Sequence, residues 1–144
     1  MKKFFFFAIA LVACVLAFTS CDPTPKIDSP LVGSWSVGTY VVDETTHQER
    51  SARNWLHFID NGQFQQNLYY DGTFDGFYAK GSWSVKGDKV TISKSTSGKI
   101  NNNNFVEDSS YKPNTVEYTW HIDGHYLYLQ TADGTVYEFR DGKP

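Results

Sequence analysis

The chain has 144 residues, 40% of them hydrophobic and 17% aromatic, and a formal net charge of −3. That length is one domain's worth, and the acidic balance argues against nucleic acid or anionic lipid as a partner, since both need a basic surface. The cysteines are Cys14 and Cys21, both near the amino terminus, so the rest of the chain must be held by its core rather than by disulfides.

Met1-Lys2-Lys3 is a short positive head, and Phe4 to Phe18 is an uninterrupted apolar run. The run is shorter than the roughly 20 residues a membrane-spanning helix needs, and it matches a signal peptide instead. Small residues and a cysteine follow. The stretch Phe18-Thr19-Ser20-Cys21 resembles the lipobox of bacterial lipoproteins. That resemblance implies cleavage before Cys21, diacylation of its thiol and a new amino terminus there. Two acyl chains, at about 0.8 kcal/mol per buried CH₂, give stable anchoring where one does not. The alternative is an ordinary signal peptide with an incidental cysteine. Cleavage would remove Lys2 and Lys3 and no acid, which takes the net charge from −3 to −5. Asp22 resembles the inner-membrane retention signal of some bacteria, but that code is not universal. The expected location is the cell envelope, with the outer membrane favoured. The segment from Asp22 to Pro30 carries Pro23, Pro25 and Pro30 and reads as an extended tether. The expected organisation is therefore a signal peptide over 1–20, a lipidated cysteine and tether over 21–30, and a domain over 31–144.

From Gly33 onward short alternating runs are separated by turn signals, with no helical period. They predict strands near 33–42, 53–60, 63–70, 76–86, 88–94, 115–122, 125–131 and 135–141. Turns fall at Asp60-Asn61-Gly62, Asp71-Gly72, Lys86-Gly87-Asp88, Asp123-Gly124 and Asp133-Gly134. A two-residue loop at Asp123-Gly124 sets Trp120 opposite Leu127 and Tyr118 opposite Leu129. One face then holds Val116, Tyr118, Trp120, Ile122, Leu127 and Leu129, and the other holds Thr119, His121, Tyr126 and Tyr128. The last hairpin has two possible registers. A three-residue Ala132-Asp133-Gly134 loop sets Tyr137 and Phe139 beside Leu129 and Leu127, whereas a two-residue loop turns Glu138 and Arg140 inward. Residues 95–114 read as a long loop containing Asn101 to Asn104. It is either disordered or a lid or docking loop using Ile100, Phe105, Val106 and Tyr111.

Gly33-Ser34-Trp35 opens the first strand directly after Leu31-Val32, and a second Gly-Ser-Trp-Ser-Val string begins at Gly81 and leads through Lys86-Gly87-Asp88 to Ile92. These strings resemble the Gly-x-Trp signature of lipocalins and the lipocalin-like domains of small bacterial lipoproteins. The resemblance implies an all-β fold, an eight-stranded antiparallel up-and-down barrel. It also implies that Arg140 packs across Trp35 as a cation–π partner. The repeated pentapeptide is either a trace of a duplicated half-barrel or two strands that each need a glycine bend and a core tryptophan.

His121 and His125 are expected on opposite faces, which prevents shared chelation, and Asp71 to Gly76 lacks the closing glutamate of a calcium loop, having Ser82 there. No nucleophile elbow or phosphate loop occurs. The expectation is a non-enzymatic monomer without cofactor or metal. An eight-stranded barrel is just wide enough to be filled by side chains or to hold one small ligand. In the first expectation a small hydrophobic ligand sits among Trp55, Trp83, Tyr118 and Trp120. In the alternative those rings fill the barrel, and the domain acts through its surface as an interaction or inhibitor module.

Overall fold

A computed structural model describes residues 25–142. The expected signal peptide over 1–20 and Cys21 lie outside the described residues. Nine strands follow in order: β1 (Gly33–Val42), β2 (Glu49–Phe58), β3 (Gln63–Tyr70), β4 (Gly76–Lys86), β5 (Lys89–Asn101), β6 (Asn104–Glu107), β7 (Asn114–Asp123), β8 (Tyr126–Gln130) and β9 (Val136–Asp141). Each pairs antiparallel with its neighbour in sequence, except that β5 carries both β6 and β7 on one edge, and β9 returns to β1. Eight strands thus close an up-and-down barrel, and β6 is a short addition outside that circuit.

The stretch expected as a loop over 95–114 is largely sheet. β5 runs on to Asn101 and turns into β6, with Asn102 at φ 46° and Asn103 at φ 63°. Asparagine tolerates this left-handed region better than most residues, and two such residues in succession make a tight hairpin turn. The asparagine run from Asn101 to Asn104, expected within a long loop, is therefore a turn with its shoulders.

The hairpin of β7 and β8 keeps its expected faces in a register shifted by two residues. Asp123 pairs with Tyr126, Ile122 with Leu127 and Trp120 with Leu129, so the loop is Gly124-His125 rather than Asp123-Gly124. A shift of two preserves which face each side chain takes, so the apolar pattern could not distinguish the two. In the last hairpin Leu129 pairs with Tyr137 and Leu127 with Phe139, the register of the three-residue loop. Glu138 and Arg140 consequently face outward and are exposed. Arg140 lies across from Ser36, on the face opposite to Trp35. The expected packing of Arg140 over Trp35 is thereby overturned, and Asp141 takes the position across from Trp35.

The core gathers at one end of the barrel. Leu31, Trp35, Phe58, Phe64, Trp83, Val90 and Leu127 are buried together, with the Phe58 ring edge-on to both Phe64 and Trp83 at 5.3 and 5.2 Å. The incoming chain seals this end. Ile27 packs against the core, and its N–H donates to the Asp60 carbonyl at 2.6 Å. This is the closed end. The loops between β1 and β2, β3 and β4, and β5 and β6 lie at the other, open end.

Candidate functional site

Above the closed end the barrel is hollow. A cavity of about 250 Å³ is lined by Asn54 and Leu56 from β2, Phe64 and Gln66 from β3, Ile92 and Lys94 from β5, Tyr118 from β7, Leu129 from β8, and Tyr137 and Phe139 from β9. A second cavity of about 380 Å³ lies beside it, lined by Leu68, Phe77, Ala79, Ser97, Tyr111 and Asn114 among others. Gln66 and Lys94 line both, so the two meet at these side chains.

Three of the polar lining residues form a connected chain. Lys94 Nζ donates to Gln66 Oε1 at 2.6 Å, and Gln66 Nε2 donates to Asn54 Oδ1 at 2.9 Å. The strand registers explain why these groups meet. Leu56 pairs with Gln66, which sets Asn54 on the same inward face one diagonal away, and Lys94 follows Ile92 on the inward face of β5. Burial pushes the Lys94 ammonium below the ordinary lysine range. Burial, with a smaller contribution from Tyr137, raises the Tyr118 hydroxyl, so it stays neutral. No aspartate or glutamate lines either cavity, and among the described residues Lys94 has no carboxylate partner.

The wall is interrupted beside Lys94. The β4–β5 register shifts between Lys80 and Gly81, and a Cβ at Gly81 would sit 1.8 Å from the Ser93 carbonyl oxygen, so only glycine allows this approach. On the other edge of β5 the pairing with β7 ends at Lys94, and the pairing with β6 begins at Gly98. The intervening Ser95 to Ser97 are joined to the segment after β6 by the Asp108 N–H, which donates to the Ser97 carbonyl at 2.8 Å. A groove of about 700 Å³, lined in part by Lys80, Ser82, Ser93 and Ser95, reaches Phe64 and Lys94 from this side.

Of the four rings expected around a ligand, only Tyr118 lines the inner cavity. Trp83 and Trp120 point inward but belong to the closed end, as Trp35 does. Their indole N–H groups donate to backbone carbonyls there: Trp35 to Leu31 at 3.0 Å, Trp83 to Ile59 at 2.8 Å and Trp120 to Gly87 at 3.1 Å. Trp55 lies on the outer wall, because it pairs with Ser36 while Leu56 takes the inward position opposite Trp35. There it stacks with His57, whose Nδ1 is 2.8 Å from Ser34 Oγ. His121 stacks on Tyr128 at 4.6 Å, and His125 in the β7–β8 loop bonds Asp141 Oδ2 at 2.8 Å. Among the described residues no group of three or more metal-ligating side chains comes together.

Asn54, Gln66 and Lys94 were not singled out in the sequence. The run Gln63-Phe64-Gln65-Gln66-Asn67 has polar residues on both faces and does not say which glutamine turns inward. Phe64 is the usable signal, because a buried Phe64 sets Gln66 on its face. No protein-family model matches the chain, and no curated protein matches it either.

Proposed function

We propose that this is a lipid-anchored, lipocalin-like binding protein for a small hydrophobic ligand, held in the cell envelope through Cys21. The observation that carries the reading is the hollow above a filled floor. Five apolar side chains, Leu56, Phe64, Ile92, Leu129 and Phe139, converge with a few placed polar groups on one cavity. Small-molecule sites have this composition, although usual volumes are roughly 300–1,000 Å³. At about 250 Å³ the inner cavity suits a small ligand.

The test is titration of the mature chain carrying Cys21→Ser, which keeps it out of membranes, with apolar fluorescent probes. Saturable binding at one site per chain is expected, and it should fall when Leu129→Trp fills the cavity. Absence of saturable binding by any probe overturns the reading. Mass spectrometry of the native protein, showing an acylated terminus at residue 21, tests the anchor separately. The second reading, a surface interaction module, is favoured by outward apolar residues such as Tyr40 and Phe74, 75% and 62% exposed. It would take over if the cavity proved unable to bind.

A further inference from the structure

A cavity for a purely apolar molecule gives no reason for Lys94. Methionine would fill similar space without the cost of drawing an ammonium out of water. An ammonium has three donors, and among the described residues Lys94 has one acceptor, Gln66 Oε1. Gln66 is itself turned by its bond to Asn54 so that its oxygen, not its amide nitrogen, meets Lys94. The interior therefore presents a positive charge with donors to spare and no acid to neutralise it, within a chain whose overall charge is negative.

We propose that Lys94 is the head-group residue of the site, and that the barrel takes a small amphipathic carboxylic acid in its ionised form. Its carboxylate sits at Lys94 Nζ, where the inner cavity meets the second one. Its apolar part lies on Leu56, Phe64, Ile92, Leu129 and Phe139. This rests on the binding function proposed above and names the ligand class. The head faces the interrupted stretch of wall at Ser95 to Ser97, so its remaining oxygen can keep water while the tail is dry. The cavity's volume selects a short chain or a single ring over a long acyl chain.

The experiment compares three ligands of one length, octanoate, octanol and octylamine, by calorimetry on the mature Cys21→Ser chain at neutral pH. Octanoate is expected to bind about tenfold or more tighter than octanol, the size of a hydrogen bond to a charged group, and octylamine is expected to be rejected. In Lys94→Met the preference for the acid over the alcohol should vanish while the thermal midpoint holds or rises. Lys86→Met, exposed at the closed-end tip of β4, should leave the preference intact. Octanol binding as tightly as octanoate, or Lys94→Met retaining the preference, overturns the assignment and leaves the binding function standing. No binding by any of the three overturns both. Should Lys94→Met fail to fold, the comparison of acid with alcohol on the unsubstituted residue decides alone.

Discussion

At the closed end of the barrel each inward tryptophan donates its indole N–H to a loop carbonyl, and Phe58 packs edge to face with Phe64 and Trp83. At the open end the inward positions include Asn54, Gln66 and Lys94, and space is left between them. The same strands supply both. Phe64 and Gln66 are successive inward residues of β3, and Ile92 and Lys94 are successive inward residues of β5. On the binding function proposed above, the difference divides stability and recognition along the barrel axis. The closed end stabilises the fold by apolar burial, so the open end can hold buried polar groups that contribute little to it.

The sharpest way to break that comparison is to hollow the closed end. Trp35 is 6% exposed and central to the core, so Trp35→Ala should cost about 3–5 kcal/mol, the usual range for large aromatic truncations. Denaturant unfolding reads it directly. A loss below about 1 kcal/mol would mean that the closed end is not the stabilising half. The wall between the two halves comes next. Gly81→Ala must push strand backbone apart at Ser93, and it should cost about 1–3 kcal/mol, as overpacking does. Measured in the same way, a neutral effect would show that the bulge relaxes freely.

A smaller effect is expected on the outer layer of the closed end. Burial holds His57 below its ordinary pKa of 6.5. The unfolded chain therefore takes up that proton first as the pH falls. The contribution of neutral His57 is complete above 6.5 and is lost as the pH drops from there toward the lower folded value. The thermal midpoint of the unsubstituted protein, less that of His57→Asn, should decline across this window and be flat above it. The smallest change belongs to the open rim, where the Arg50 guanidinium lies 4.0 Å from the Tyr70 ring centre and 3.2 Å from Asp43. Arg50→Gln should cost about 0.5–1 kcal/mol, the worth of such exposed contacts. A loss as large as that of Trp35→Ala would erase the contrast between the halves.

The strands were legible in the sequence because period-two alternation and glycine turns are local signals, and so was the inward face of β7 and β8; their closure into a barrel was implied by the lipocalin resemblance, since the pattern alone fits a sandwich as well. Legibility failed where the answer depended on pairing. The β7–β8 loop slipped by two without changing any face. The place of Arg140 depended on a single-residue choice of loop length, and only the apolar partners Tyr137 and Phe139 pointed to the observed one. Trp55, expected among the inward rings, lies on the outer wall because the neighbouring Leu56 takes the inward position. The site's own residues were the least visible. Lys94 is the last residue of the strand predicted there; the alternation of Val90 and Ile92 sets it on their inward face, but a lysine at a strand end, just before the irregular stretch of β5, reads as a solvated terminus.

The bond from Ile27 to Asp60 has a consequence for orientation. With the anchor proposed at Cys21, residues 22–26 are the whole leash, and even fully extended it reaches only about 20 Å. The sealed base of the barrel would then ride close to the lipid surface, and the mouth beside Tyr111 would point away from it. Cargo would be collected from the aqueous compartment rather than drawn sideways out of the bilayer. Anchored in that way, the upright cup would face the soluble acid proposed as its ligand.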